Sequence, residues 1–259
     1  MTPILTYYDL GDRITAFSTT REGGYSTGSY GEMNINAYCG DQPEHIRMNR
    51  NLLCRELGLS TPDDIFMPHQ VHDTLTWLIG KAFLESSAQI QSEALDGVDA
   101  LMTDQRNICI GVSTADCTPI IVYDPDHHVA AVIHAGWRGT VARIAEHAVG
   151  QMFGVFRSEP SRLKAVIGPC ISVGNFEVGD EVYEAFREQQ FPMEQIAVRQ
   201  GKWHINLPLC NRLQLQGLGI PAGNIQDSGI CTFDRPDLYF SARRLGILSG
   251  RIFTGVVLR

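Results

Sequence analysis

The chain of 259 residues contains 44% hydrophobic and 19% charged residues, a composition typical of a globular protein with enough apolar material for a sizeable core. Its net charge of −8 at pH 7 argues against nucleic acid or an anionic membrane as the main partner. The sequence shows no signal peptide and no run near the roughly 20 apolar residues that span a bilayer. We therefore predict a soluble, cytoplasmic protein whose seven cysteines are reduced thiols.

The first half of the chain has mostly the pattern of β-strands. Alternating residues predict a strand over Ile14–Thr20 that runs into a glycine-rich loop, and helical spacing predicts a helix over Pro43–Leu59. Further strands are predicted over Asp64–His72, Thr74–Gly80, Val98–Asp104, Asn107–Thr114, Thr118–Asp124 and His128–Ala135.

The second half mixes helices with strands. The predicted helices are Arg138–Phe156, an acidic helix within Phe176–Gln189, and His204–Ile220. The predicted strands are Leu163–Pro169, which ends in Gly168-Pro169, Leu238–Gly246 and Gly250–Arg259. Strands and helices do not follow a regular β-α-β repeat, and no linker interrupts the chain. We therefore predict an α+β fold, a single domain over residues 1–259 with mixed β-sheets flanked by helices.

Cys117 and His134 lie at the ends of two apolar runs. Neighbouring strands can bring both side chains to one edge of a sheet, and His69 or His72 can add a third group. Cysteine with two histidines fits a catalytic zinc site, which uses three protein ligands and keeps one position open. Two other interpretations stay open: a Cys117 nucleophile with His134 as its base, and buried residues with no role in chemistry.

Several sequence motifs occur together in a specific order. They are HQVHD, DGVDALMTD, TADCTPIIVYD, IHAGWRGT, IGPCI and CTFDRPDLYFSARR. The chain resembles the multi-copper polyphenol oxidase (laccase-like) family over about Ile14 to Val257. The resemblance implies a zinc-dependent purine nucleoside phosphorylase with adenosine deaminase activity, and it implies that the metal ligands are His72, Cys117 and His134. One departure is Asp73, where the family usually has glycine.

The copper-oxidase activity in the family's name fits the sequence poorly. A trinuclear copper centre uses many histidines, usually in His-X-His pairs, and none of the eight histidines here is two positions from another. One Cys-His₂ set can still bind copper adventitiously, since copper(II) binds such ligands more tightly than zinc. A Cys-His hydrolase or amidase acting on peptidoglycan precursors is the other alternative that relatives suggest.

The implied partners are purine nucleosides and phosphate. Arginine suits phosphate because its planar fork donates two hydrogen bonds, and a carboxylate is needed to move protons. The predicted catalytic residues are Asp116, which adjoins Cys117, and Arg138, four residues beyond His134. The predicted substrate-binding residues are Arg21, Glu177, Arg243 and Arg244.

Overall fold

The structure is a computed structural model that describes all 259 residues. Its strands are β1 Leu5–Tyr8, β2 Ile14–Thr19, β3 Ile65–Phe66, β4 Thr76–Leu78, β5 Ala100–Thr103, β6 Cys109–Thr114, β7 Thr118–Asp124, β8 Val129–Ala135, β9 Lys164–Ile167, β10 Glu177–Val178, β11 Ala197–Gln200, β12 Lys202–Ile205, β13 Ile225–Asp227 and β14 Ile252–Leu258. Its helices are α1 Pro43–Glu56, α2 Lys81–Leu84, α3 Ala88–Ala94, α4 Trp137–Val141, α5 Ile144–Phe156, α6 Asp180–Glu188, α7 Met193–Ile196, α8 Leu207–Gly217 and α9 Ala242–Leu245. None of these helices has the length and apolar character needed to cross a membrane.

The strands form three sheets. A five-stranded sheet has the order β1-β2-β14-β6-β3, and only β3 and β6 pair in parallel. A six-stranded sheet has the order β13-β9-β7-β8-β5-β4, with parallel pairs at both edges and antiparallel pairs between them. Strands β10, β12 and β11 form a small antiparallel sheet.

The two large sheets pack face to face, and helices cover their outer faces. Along β7, Ile121 and Tyr123 pack into the core shared with the five-stranded sheet, whereas Ile120 and Val122 pack against α5. This alternation is the period of two expected of a strand buried on both faces. Helix α1 packs through Leu53 on the outer face of the five-stranded sheet. The mixed sheets flanked by helices confirm the predicted α+β class.

Several predicted elements differ in extent or kind. The predicted helix Arg138–Phe156 is two helices, α4 and α5, because Arg143 between them is left-handed with φ of 64°. The predicted helix His204–Ile220 begins only at Leu207, where the Asn206 side chain accepts a hydrogen bond from Leu209 N at 3.1 Å. The predicted strand Asp64–His72 is limited to β3.

The predicted strand Leu238–Gly246 is wrong. The segment contains the short helix α9, and the Ser241 side chain caps that helix by accepting a hydrogen bond from Arg244 N. Its aromatic residues Tyr239 and Phe240 are buried in a small cluster with Ile252, which explains why its apolar pattern resembled a strand.

Candidate metal centre and the cavity around it

His72, Cys117 and His134 meet at one end of the central strands. Cys117 lies in the turn between β6 and β7, and His134 lies on β8 opposite Pro119. His72 lies in the loop between β3 and β4. The three potential donor atoms lie within 4.8 Å of one another, and Cys117 Sγ is 3.8 Å from His72 Nε2. The structure therefore brings the three predicted ligands together, whereas His69 lies outside the group.

The buried carboxylate of Asp99 connects two of these ligands. Its Oδ1 accepts hydrogen bonds from His134 Nδ1 at 2.6 Å and from the backbone N–H of His72 at 3.0 Å. Its Oδ2 accepts hydrogen bonds from the N–H groups of Val71 at 3.1 Å and Asp73 at 2.9 Å. Asp99 thus orients the His134 ring, leaves its Nε2 free for a metal, and holds the loop that carries His72.

Both loops at the centre contain a left-handed residue. His72 has φ of 65° and Asp116 has φ of 92°, a region that residues other than glycine rarely adopt. Asp116 is buried, and its carboxylate accepts hydrogen bonds from Thr232 Oγ1 and from Arg243 N, both at 2.7 Å. These bonds stabilise the turn that presents Cys117.

Gly136 permits the close approach of two ligands. A Cβ atom at this position would lie 2.9 Å from His72 Cδ2 and 3.1 Å from Cys117 Sγ. Its φ of −67° suits any residue, so the requirement for glycine is one of space. The glycine of the His-Ala-Gly-Trp-Arg motif therefore lets helix α4 begin directly against the candidate ligands.

The thiol and imidazole groups shift one another's protonation. Burial raises the pKa of the Cys117 thiol, but the charge of His134 and hydrogen bonds from His134 and His72 outweigh burial and lower that pKa to about 6. Burial lowers the pKa of His134, but the Cys117 thiolate and the Asp99 carboxylate raise it to about 9. Burial raises the pKa of Asp99, but its bonds to His134 and to the backbone lower that pKa below its usual range. Near neutral pH the centre without metal therefore contains a thiolate beside an imidazolium.

The donor set fits a metal such as zinc. Zinc forms bonds of about 2.3 Å to sulfur and about 2.0–2.1 Å to nitrogen. In a tetrahedral site these bonds place a sulfur donor and a nitrogen donor about 3.6 Å apart. The observed 3.8 Å between Cys117 Sγ and His72 Nε2 is close to that separation. Asp73 lies outside this group of donors, and its carboxylate accepts a hydrogen bond from the neighbouring Thr74 N at 2.8 Å. His72, Cys117 and His134 can thus hold one metal ion.

The three candidate ligands line a cavity of about 590 Å³. Its other lining residues are Asn36, Tyr38, Cys39, His69, Gln70, Ser113, Thr114, Ala115, Ala242, Ile247, Leu248 and Arg251. Asn36 and Gln70 both hydrogen-bond to Ser113, and Asn36 Nδ2 donates to Ser113 Oγ at 2.6 Å. The polar wall of the cavity is therefore held by its own hydrogen bonds.

The predicted catalytic and substrate-binding residues lie outside the cavity lining. Arg138 is exposed, and its guanidinium lies 4.3 Å from the centre of the Trp137 ring. Arg21 donates to the carbonyl oxygens of Gly31 at 2.9 Å and Pro236 at 2.7 Å. Exposed Glu177 forms an ion pair with Lys202 at 2.9 Å.

The two adjacent arginines of the FSARR segment also bond to the backbone. Arg243 donates to the Glu177 carbonyl, and Arg244 donates to the Phe233 carbonyl, each at 3.0 Å. The arginine that does line the cavity is Arg251. Its Nη1 and Nη2 groups donate to carbonyl oxygens of residues 247, 249 and 250, while its Nε makes no hydrogen bond within the protein.

Sequence reasoning missed Asp99, Tyr38 and Arg251. Asp99 had a detectable signal, since it is a single carboxylate inside the apolar run Val98–Met102, and a buried charge needs a partner. Tyr38 and Arg251 lie far from the ligands in the chain, in segments with no chemical pattern, so only the fold reveals their proximity.

The fold and the site together define an α+β protein with a Cys-His₂ group that can hold a metal ion and that lines a cavity. Residues 15–259 match the family described as multi-copper polyphenol oxidoreductase laccase, and the chain belongs to this family.

Similar proteins have been named for purine chemistry. A purine nucleoside phosphorylase of Bacteroides thetaiotaomicron is 45% identical over 248 residues, which cover 95% of this chain and 92% of that protein. Adenosine deaminase RL5, from an unknown prokaryotic organism, is 43% identical over 246 residues, which cover 94% of this chain and 93% of that protein. The crystal structure of YlmD from Geobacillus stearothermophilus has a TM-score of 0.88 at 30% identity, over 95% of this chain and 92% of that one.

Proposed function

We propose that this protein is a zinc-dependent purine nucleoside phosphorylase that also deaminates adenosine. Its substrates are adenosine, inosine, guanosine or methylthioadenosine with phosphate. Its products are the free base and ribose 1-phosphate, or methylthioribose 1-phosphate when the substrate is methylthioadenosine. The observation that carries the proposal is the His72–Cys117–His134 group in a cavity of about 590 Å³. Relatives named purine nucleoside phosphorylase and adenosine deaminase indicate the substrate class.

In this proposal the protein's own residues bind and orient the reactants. His72, Cys117 and His134 would hold zinc, which when bound supplies a Lewis acid that polarises an oxygen atom. Asp99 keeps the His134 ring in one orientation and one tautomer through the 2.6 Å bond to Nδ1. The hydrogen-bonded wall of Asn36, Gln70 and Ser113 fixes the shape of the cavity.

Phosphate needs a cationic partner near the candidate metal. Of the arginines, Arg251 lines the cavity, whereas Arg21, Arg138, Arg243 and Arg244 do not. We assign the phosphate contact to Arg251, whose Nε–H has no hydrogen-bond partner within the protein. An ionised donor aimed at a phosphate oxygen gives a strong hydrogen bond.

The number of ligands argues against a multi-copper oxidase. The structure assembles one group of three or more His, Cys, Asp or Glu side chains that can hold a metal. A trinuclear copper centre requires many more histidines than the two in this group. The single site still accepts copper, so copper-loaded protein can show weak oxidase activity without that being its function.

A Cys117-dependent hydrolase is the second candidate, because the lowered pKa of Cys117 favours a nucleophilic thiolate. It would pair Cys117 with His134, which takes the proton of the thiol, and would need no metal.

Product analysis separates these functions. Purified protein is incubated with inosine or adenosine, with and without phosphate, before and after treatment with a chelator. We expect inosine to give hypoxanthine and ribose 1-phosphate only when phosphate is present. We expect adenosine to give inosine with or without phosphate. Both reactions should be lost when the metal is removed. Base release that continues unchanged in metal-free protein would contradict the zinc proposal, and no product from any nucleoside would contradict the purine proposal.

A further inference from the structure

Tyr38 and His69 form a stacked pair in the wall of the cavity. Their ring centres are 4.4 Å apart with an angle of 26° between the planes. Both residues line the cavity that contains the candidate metal ligands. Tyr38 is 54% exposed, so its side chain remains accessible to a ligand that enters the cavity.

The pair is held in place from both sides. His69 Nδ1 donates to Asp96 Oδ1 at 2.7 Å, and the His69 backbone bonds to Leu95 and Gly97. The backbone N–H of Tyr38 donates to Asn36 Oδ1 at 2.6 Å. Asn36 is in turn anchored on Ser113. The aromatic surface is therefore pre-formed, which lowers the entropy cost of binding a flat ligand.

The remainder of the cavity favours a flat, weakly polar ligand near this pair. Ile247 and Leu248 line the same cavity and are 77% and 69% exposed. A ligand that covers them removes apolar surface from water, which is favourable. The neighbouring side-chain amides of Asn36 and Gln70 already hydrogen-bond to Ser113. They therefore offer few free groups to a polar ligand.

We propose that the Tyr38–His69 pair is the subsite for the purine base, which stacks on it while the ribose lies toward the metal ligands. The inference rests on the proposed function, since it assigns one part of that substrate to one part of the cavity. Every purine presents a π face, so a stacking subsite accepts adenine, hypoxanthine and guanine alike. Tyr38 is thus a base-binding residue, and the subsite accepts planar bases broadly.

The test compares Tyr38→Ala with Tyr38→Phe, which keeps the ring, and with Tyr38→Leu, which keeps apolar bulk. Tyr7→Ala is the matched control, because Tyr7 is 55% exposed on β1 and does not line the cavity. We expect Tyr38→Ala and Tyr38→Leu to raise KM for inosine about tenfold, equivalent to about 1.4 kcal/mol. The kcat and the zinc content should stay within about threefold of wild type. Tyr38→Phe and Tyr7→Ala should match wild type in all three quantities.

Calorimetric binding of hypoxanthine distinguishes this inference from the proposed function. Binding that weakens about tenfold in Tyr38→Ala supports the subsite even if wild type turns over no nucleoside. An unchanged KM and unchanged hypoxanthine affinity in Tyr38→Ala overturn the subsite even if the phosphorylase activity is proved. Failure of wild type to bind hypoxanthine overturns the subsite as well.

Discussion

The cavity has a rigid floor and an exposed rim, and the two are built in different ways. The floor includes His134, which is 3% exposed, and Asp99, which is 0% exposed, supports it from below through a 2.6 Å hydrogen bond. The rim contains Tyr38, Ile247 and Leu248, which lie in loops and are more than half exposed. Precise ligand geometry needs a buried, hydrogen-bonded support. Contacts that select a substrate can lie on loops carried by that support.

The largest predicted effect is that of pH on the affinity of the floor residues for zinc. The pKa of Cys117 is lowered to about 6 and that of His134 is raised to about 9. At any pH between these values the metal-free centre holds one proton, on His134, and zinc must displace it. Affinity should therefore fall about tenfold for each unit of decreasing pH, or about a thousandfold from pH 9 to pH 6. Competition with a chelating dye across this range measures the slope. A slope near zero would contradict the displacement of a proton from His134 when zinc binds.

Replacing the carboxylate below His134 should have the next largest effect. Asp99→Asn provides one acceptor oxygen for four N–H donors, so the His134 ring and the His72 loop lose support. We expect zinc affinity to fall about 10–100-fold. Asp96→Asn is the matched change at the rim, and it should alter zinc affinity less than about threefold because Asp96 supports His69. Equal zinc affinities for the two variants would remove the distinction between floor and rim.

A methyl group added at Gly136 tests the packing of the floor. The new Cβ must displace His72 or Cys117, so Gly136→Ala should lower zinc affinity and kcat/KM by about tenfold. Gly150→Ala is the control, since nothing lies within 4 Å of a Cβ there and the site is inside helix α5. That control should raise the free energy of unfolding by up to about 1 kcal/mol and leave activity unchanged. Wild-type zinc binding by Gly136→Ala would contradict the close-approach argument.

The smallest effect is expected from an arginine at the rim. Arg251→Lys keeps the positive charge but loses the Nε–H donor, so KM for phosphate should rise about fivefold with little change in zinc content. Arg138→Ala should leave KM for phosphate near the wild-type value, because Arg138 is exposed and stacks on Trp137. Initial rates at varied phosphate concentration measure both. The opposite ranking of the two variants would return the phosphate contact to Arg138.

The contrast between floor and rim also explains what the sequence could predict. Strands β6, β7 and β8 are buried over their whole length, and their near-continuous apolar runs were recognisable. Cys117 and His134 could therefore be predicted to share one sheet edge. His72 was separated from His69 only by the family resemblance, because the segment is a loop with a left-handed residue and not the strand that the pattern suggested.

The rim could not be predicted, because its residues come from distant loops. Residues 36–39 and 247–251 are held by tertiary contacts, such as the bond from Asn36 Nδ2 to Ser113 Oγ at 2.6 Å and the bond from Arg251 N to Asn34 Oδ1 at 3.2 Å. Loop conformation of this kind follows from packing and not from local propensity. The same limit applies to Arg21, Arg243 and Arg244, whose hydrogen bonds to backbone carbonyls have no local sequence signal.

The most direct test of the account measures metal content and inosine phosphorolysis in Cys117→Ala and Cys39→Ala side by side. Cys39 is a free thiol that lines the same cavity but lies outside the ligand group. We predict about one zinc per chain in wild type and in Cys39→Ala, with similar turnover, and loss of both zinc and turnover in Cys117→Ala. A Cys117→Ala protein that loses zinc and still cleaves inosine at the wild-type rate would contradict the central claim.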